Sequence, residues 1–161
     1  MRLVLMGQAA FGEKVLDALL HKGENVAAVF CPPDPPGKPG CLRLLAEGKG
    51  IPVYQPKKMK DPAVYDLFVQ LQPDLNVMAF VTDIVPLRIL NLPRWGTIQY
   101  HPSLLPKHRG GSAINWAIIK GETKTGLTIF WPDKGVDTGP ILLQKEAEIG
   151  PDDTTASLYF N

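Results

Sequence analysis

The apolar positions of this chain fall into short continuous runs, which alternate with stretches where apolar residues recur every three or four positions. Continuous runs are typical of buried strands, and the wider spacing is typical of helices with one apolar face. The runs predict strands at residues 2–6, 25–31, 51–54, 75–81, 96–100, 125–131 and 141–145. The spacing, together with start and stop residues, predicts helices at residues 11–20, after Asp61 and Pro62, and from Ser112 to Lys120.

Strands that are apolar throughout and joined by amphipathic helices indicate a parallel sheet with helices on both faces. We therefore predict an α/β fold, doubly wound around a mostly parallel sheet. A chain of 161 residues has the length of one ordinary domain, so residues 1–161 are expected to form one. Residues 32–40 contain five prolines and predict a stiff loop at the carboxyl end of the second strand, the rim where such sheets bind ligands.

The charge balance narrows the range of partners. The 17 lysine and arginine residues against 16 aspartate and glutamate residues give a net charge of +1, which argues against binding nucleic acid through its phosphates. No apolar run approaches the ~18 residues that cross a bilayer. The first run stops at Gly7, unlike a signal peptide. We expect a cytoplasmic domain without a membrane partner, in which Cys31 and Cys41 stay reduced.

The motifs for several cofactors are missing. Gly7 and Gly12 occupy the outer positions of a G-x-G-x-x-G motif, but Ala9 stands where the middle glycine is needed, so we expect no NAD. The chain also lacks a phosphate-binding P-loop and a serine-nucleophile elbow. Its histidines and cysteines do not have metal-ligand spacing, so we expect no metal.

His101 and Asp137 are the residues with candidate chemistry. His101 follows the strand predicted at residues 96–100, and Asp137 lies in a glycine-bearing loop after the strand predicted at residues 125–131. We expect both loops to open on the same rim of the parallel sheet. Taken alone, each residue has a structural explanation, because backbone groups can hold a histidine and aspartate commonly shapes turns.

Residues 101–144 read HPSLLPKHRGGSAINWAIIKGETKTGLTIFWPDKGVDTGPILLQ. This segment resembles the signature region of the folate-dependent formyltransferases, and the similarity extends from MGQAAFG to PDDTTASLYF. It is strongest to the hydrolase domain of 10-formyltetrahydrofolate dehydrogenase. The resemblance implies a formyltransferase-type, Rossmann-like fold and an enzyme of one-carbon metabolism. Its formyl donor would be 10-formyltetrahydrofolate.

The resemblance also implies roles for individual residues. The family's catalytic centre is an asparagine, a histidine two residues later and a distant aspartate. His101 and Asp137 match the last two, and Gln99 replaces the asparagine. A glutamine keeps the amide donor but moves it by about 1 Å or more, and such offsets reduce rates. The implied folate contacts are Met78, Ala79, Phe80, Val81, Asp83, Trp131, Asp133 and Val136. The implied loop beside the formyl group is Ser103, Leu104, Leu105 and Pro106.

The formyl acceptor stays open at this point. Water would make the enzyme a hydrolase, and an amine would make it a transferase. The alternatives are the catalytic domain of a methionyl-tRNA formyltransferase and a folate-binding module without catalysis, which only Gln99 supports. The basic run at residues 107–109 is expected to be a solvated loop. A helix begins at residue 156 and the chain stops at Asn161, so we expect residues 1–161 to be the N-terminal catalytic part of a longer protein.

Overall fold

Seven strands pair in the order β3-β2-β1-β4-β5-β6-β7 in a computed structural model that describes every residue from Met1 to Asn161. The strands are β1 (Arg2–Gly7), β2 (Asn25–Phe30), β3 (Val53–Tyr54), β4 (Leu75–Ala79), β5 (Thr97–His101), β6 (Lys124–Phe130) and β7 (Ile141–Glu148). The helices are α1 (Ala9–His21), α2 (Cys41–Gly48), α3 (Pro62–Leu71), α4 (Leu87–Leu90), α5 (Ala113–Ile119) and α6 (Thr155–Phe160). The backbone divides into two compact units, Met1–Ile98 and Gln99–Asn161.

The first unit is built on four parallel strands. β1 pairs in parallel with both β2 and β4, and β2 pairs in parallel with β3. Successive residues of a strand point to opposite faces, and both faces of β1 are covered. Val4 and Met6 belong to a core with Phe30 and Phe68, whereas Leu5 belongs to a separate core under α1 and α2. Burial on both faces explains why these strands are apolar throughout.

The turn from β1 into α1 requires its glycine. A Cβ at Gly7 would lie 2.6 Å from the carbonyl oxygen of Ala79 on β4, closer than real side chains approach. A Cβ at Gly12 would lie 3.1 Å from Leu42, where α1 and α2 pack together. These two glycines therefore serve close packing. The absence of the middle glycine at Ala9 leaves the turn intact, with Ala9 itself at a left-handed φ of 56°.

The second unit contains the antiparallel part of the sheet. β5 pairs antiparallel with β6, and β6 pairs antiparallel with β7. The α/β class and the mostly parallel sheet are confirmed, and this edge departs from a wholly parallel arrangement. No helix lies between β6 and β7, and strands without a crossover connection pair antiparallel.

Several element boundaries differ from the sequence prediction. The fourth strand ends at Ala79 rather than residue 81, because Phe80 takes a left-handed φ of 64° that a strand does not accommodate. α2 was not predicted, since an eight-residue helix with only Leu42 and Ala46 buried leaves a weak periodic signal. α6 begins where the sequence indicates, and Thr154 and Ser157 form a capping box at its start. None of the six helices is long and apolar enough to cross a membrane.

Candidate active site

His101 is the last residue of β5, and its side chain is only 7% exposed. Residues two apart on a strand lie on the same face, so Gln99 shares a face of β5 with His101. Across the antiparallel pair, His101 lies opposite Thr128 and Gln99 lies opposite Phe130 on β6. The strand thus supplies a fixed platform for both residues.

The structure brings His101 and Asp137 together. Nδ1 of His101 lies 3.4 Å from Oδ2 of Asp137, and the Asp137 side chain is 11% exposed. The other ring nitrogen, Nε2, lies 2.7 Å from the carbonyl oxygen of His108. A carbonyl only accepts, so Nε2 carries the proton of this hydrogen bond. The backbone N–H of Gly110 donates to the same Oδ2 of Asp137 at 2.7 Å.

The reason given from sequence for this proximity is wrong. β6 runs antiparallel to β5, so the carboxyl end of β6 lies beside the beginning of β5 and not beside His101. Asp137 reaches His101 because the connection between β6 and β7 folds back. The two ends of this connection are joined by a hydrogen bond from the N–H of Trp131 to the carbonyl of Pro140 at 2.9 Å. A Cβ at Gly139 would overlap the carbonyl oxygen of Trp131, so glycine is needed there.

Asp133 shapes this connection from within. Its Oδ1 accepts hydrogen bonds from the N–H of Gly135 at 2.8 Å and from the hydroxyl of Thr138 at 2.6 Å. The Thr138 hydrogen bond, then the Gly135 one, lowers the pKa of the Asp133 carboxyl below its usual value. Val136, beside Asp137, is 66% exposed. The loop therefore presents an apolar side chain to solvent next to a nearly buried carboxylate.

The loop after His101 is held by side chains that the sequence did not single out. The hydroxyl of Thr128 donates to the carbonyl of Ser103 at 2.7 Å and accepts from the N–H of Leu105 at 3.1 Å. The Nε2 of Gln144 donates to the carbonyl of Leu105 at 2.9 Å and to Thr128 at the same distance. A Cβ at Gly126 would lie 2.6 Å from the Leu104 side chain. Residues 103–105 are thus tied to β6 and β7, and Pro106 is exposed.

His108 departs from the solvated loop expected at residues 107–109. Lys107 and Arg109 are exposed, but the His108 side chain is only 7% exposed. Its Nε2 lies 2.9 Å from Oε1 of Glu122. The three consecutive basic residues gave no sign that the middle one is buried, because its acidic partner lies fourteen residues away along the chain.

In the first unit, the predicted folate contacts fall into two groups. Met78 and Ala79 are buried in the two cores. Phe80, Val81 and Asp83 line a cavity of about 200 Å³ at the carboxyl ends of β1, β2 and β4. The remaining lining residues include Gln8, Cys31, Pro32, Lys57 and Lys58. The proline-bearing loop after β2 thus borders a cavity at the carboxyl rim of the parallel strands.

Two side chains that line this cavity, Asp83 and Cys31, have surroundings that determine their chemical state. The Asp83 carboxylate accepts from the N–H of Met59 at 2.7 Å and from the N–H of Ile84 at 2.9 Å, so it holds the cavity wall together. Burial, and then the nearby Asp34 carboxylate, raises the pKa of the Cys31 thiol to about 11. Such a thiol is protonated near neutral pH and is a poor nucleophile. No group of three or more histidine, cysteine or acidic side chains is placed to hold a metal ion.

Comparison with known proteins identifies relatives of this chain. The sequence model of the family described as "Formyl transferase" matches residues 1–161. The human cytosolic 10-formyltetrahydrofolate dehydrogenase is 46% identical over 99% of this chain, which spans 18% of that protein. The methionyl-tRNA formyltransferase of Geotalea uraniireducens is 42% identical over 99% of this chain and 53% of its own length.

A solved structure matches the fold as well. The phosphoribosylglycinamide formyltransferase of Bacillus halodurans superimposes with a TM-score of 0.85 at 26% identity, over 99% of this chain and 86% of that one. Its match covers both units of the fold. With the family model matched along the whole chain, the conclusion is that this chain belongs to the formyl transferase family.

Proposed function

We propose that this chain carries out the formyl chemistry of 10-formyltetrahydrofolate, by hydrolysis or by transfer to an amine. The observation that carries the proposal is the nearly buried His101–Asp137 pair, with 3.4 Å between Nδ1 and Oδ2. A carboxylate and an imidazole in contact are the groups that acid–base catalysis at a carbonyl carbon needs. The human dehydrogenase, 46% identical, carries this folate in its name.

The hydrogen bonds decide which ring nitrogen of His101 can act. Nε2–H is bound to the His108 carbonyl, so Nδ1 carries no proton in the neutral ring and donates to the developing oxyanion only after it has received one. The Asp137 carboxylate, with Oδ2 3.4 Å from Nδ1, lies where it can pass a proton to that nitrogen.

The proposed reaction forms one bond at the formyl carbon and breaks another. Attack forms a bond from the oxygen of water, or the nitrogen of an amine, to the formyl carbon. Collapse of the tetrahedral intermediate breaks the bond from that carbon to N10 of the folate. Asp137 accepts the proton that the attacking group loses, and N10 takes a proton from the pair as it leaves. Oxyanion stabilisation of this kind is typically worth ~10²–10³ in rate, and a positioned acid or base ~10²–10⁴.

The folate contacts are part of the proposal. In the first unit, Phe80, Val81 and Asp83 line the cavity, and Met78 and Ala79 contribute backbone at the end of β4. In the second unit, the contacts are Trp131, Asp133 and Val136, with Ser103 to Pro106 as the wall beside the formyl group. We also propose a cytosolic location, as the name of the human dehydrogenase states for that protein.

The acceptor is tested by incubation with 10-formyltetrahydrofolate alone and then with added amines. Loss of the formyl group in buffer indicates hydrolysis. Loss only with an amine, including methionyl-tRNA because of the 42% identical Geotalea enzyme, indicates transfer. Binding without turnover under either condition would contradict an enzymatic function and leave a folate-binding module.

Asp137→Asn is the first variant to measure. The amide still accepts from Gly110, so the loop keeps its shape, but the charge and the base are lost. Turnover is expected to fall at least ~100-fold. The matched control is Asp152→Asn, an exposed aspartate of the same unit, which should retain wild-type turnover. More than a tenth of the wild-type rate in Asp137→Asn would remove Asp137 from the mechanism.

A further inference from the structure

One backbone segment, residues 108–110, contacts both members of the His101–Asp137 pair. The carbonyl of His108 accepts from Nε2 of His101 at 2.7 Å. Two residues later, the N–H of Gly110 donates to Oδ2 of Asp137 at 2.7 Å. The relative placement of the imidazole and the carboxylate is therefore set by the backbone conformation between these two residues.

The backbone conformation at His108 has to be stabilised by neighbouring groups. His108 has a φ of 52°, in the left-handed region that non-glycine residues enter only when their surroundings hold them there. The contact that supports it is the hydrogen bond between its own side chain and Glu122, with Nε2 2.9 Å from Oε1. The side chains of His108 and Glu122 are 7% and 24% exposed, so solvent screens this pair less than a surface pair.

Glu122 is itself anchored to a helix end. It follows Gly121, which has a φ of 65°, immediately after α5. Its N–H donates to the carbonyl of Ala117 at 3.0 Å, in the last turn of that helix. The chain of contacts thus runs from α5 through Glu122 and His108 to the ring of His101.

We propose that Glu122 and His108 are positioning residues, which act through the backbone of residues 108–110 to set the tautomer of His101 and its placement against Asp137. This inference rests on the proposed function. With the His108 carbonyl in place, the ring proton sits on Nε2 and Nδ1 faces Asp137. When the carbonyl moves away, the neutral ring is free to put its proton on Nδ1 instead. An error of 1 Å in such placement costs up to about 10²-fold in rate.

The main test compares two changes at one position. Glu122→Ala removes the acceptor for His108 and should lower kcat at least tenfold while KM stays within threefold. Glu122→Gln keeps an amide oxygen that accepts from Nε2 of His108, and it should restore kcat to within threefold of wild type. The matched control is Glu146→Ala, which removes the exposed acid of the Lys124 pair and should leave kcat unchanged.

A second readout does not depend on turnover. The chain has three histidines, so the ring nitrogens of His101 can be assigned by nuclear magnetic resonance of the ligand-free, ¹⁵N-histidine protein, with His101→Asn as the reference spectrum. The wild type should show a protonated Nε2. Glu122→Ala should shift the signals toward protonated Nδ1, and Glu122→Gln should return them.

The outcomes separate the two proposals. Unchanged His101 signals in Glu122→Ala overturn the positioning role, even if turnover falls. Shifted signals in a wild-type background that turns over no 10-formyltetrahydrofolate support the positioning role and contradict the proposed function. Should Glu122→Ala fail to fold, Glu122→Asp, which withdraws the carboxylate by one methylene, gives the same comparison, and unchanged signals there overturn the proposal.

Discussion

The two nitrogens of the His101 ring have different partners, and this asymmetry determines what the residue can do. Nε2 is bound to a backbone carbonyl and Nδ1 faces a carboxylate. A histidine bound on one side only would be free to change tautomer during the reaction. In the neutral ring, the His108 carbonyl places the proton on Nε2 before substrate binds. Such preorganisation of hydrogen-bond donors lowers the barrier of acyl transfer.

The Gln99→Leu variant tests, at a single side chain, whether the formyl acceptor is water or an amine. If the enzyme is a hydrolase that does not depend on a second amide donor, Gln99→Leu should lower turnover less than about tenfold, well below the ~10²–10³ of a true oxyanion donor. Steady-state kinetics with 10-formyltetrahydrofolate measures the effect. A loss of a hundredfold or more would show that the amide works as a donor and would favour transfer to an amine.

The pH dependence of alkylation at Cys31 tests whether this thiol, at the cavity of the first unit, is desolvated. Its pKa is raised to about 11, so at pH 8 only ~10⁻³ of the thiol is thiolate, and thiolate is the form that alkylates. The rate of iodoacetamide labelling at Cys31 should therefore climb about tenfold per pH unit up to about pH 11. Mass spectrometry of the Cys31 and Cys41 peptides measures each rate. A plateau near pH 9 at Cys31 would mean that the thiol is not desolvated.

The residues predicted from sequence and those missed differ in a physical way. His101 and Asp137 were found because their own chemistry and a specific motif point to them. Glu122 and Thr128 were not found. Thr128 hydrogen-bonds backbone groups and Glu122 contacts a histidine fourteen residues away, and neither contact requires one particular residue type. His108 was interpreted as solvated because its neighbours are, although its side chain is buried.

At the scale of elements, β6 organises the second unit. It pairs with β5 on one side and β7 on the other, and its Thr128 hydroxyl contacts Ser103, Leu105 and Gln144. The loop at residues 103–105 is therefore held by a strand whose sequence looks like ordinary apolar core. The buried Thr128 hydroxyl adds to a hydrogen bond within the loop, from the Ser103 hydroxyl to the Lys107 carbonyl at 2.6 Å.

Thr128→Val tests this role with a side chain of the same shape. The substitution leaves the N–H of Leu105 and the carbonyl of Ser103 without their partner in a fully buried site. The free energy of unfolding should fall by about 1–3 kcal/mol for each group left unsatisfied. Urea unfolding curves measure it, with Thr123→Val, an exposed threonine just before β6, as the control. Equal stability of the two variants would mean that Thr128 does not hold the loop.

The element boundaries show where periodicity stops being informative. Helices α1 and α3 were predicted because each combines an apolar face with clear start or stop residues, Asp61 and Pro62 for α3 and Gly23 for α1. The direction of β6 and β7 was not predictable in the same way. An apolar run has the same pattern whichever way the strand points, and β5 and β6 pair antiparallel although α5 lies between them.

At the scale of the whole molecule, the cavity and the proposed catalytic pair belong to different units of the chain. The cavity lined by Phe80, Val81 and Asp83 belongs to the first unit, which has parallel strands and two buried cores. The His101–Asp137 pair belongs to the second unit, at an antiparallel edge. A substitution in the pair should therefore leave most of the proposed folate contacts in place.

His101→Asn is the variant that separates these two tasks. The asparagine removes the ring that faces Asp137, so turnover should fall by two decades or more. Calorimetry with a non-reactive folate analogue should give a Kd within about threefold of wild type, because the proposed ring contacts at residues 78–83 and 131–136 are untouched. Urea unfolding provides the check that the variant is folded. A folded variant that keeps its turnover would remove His101 from the mechanism, and one that loses analogue binding in parallel with turnover would place His101 among the binding groups instead.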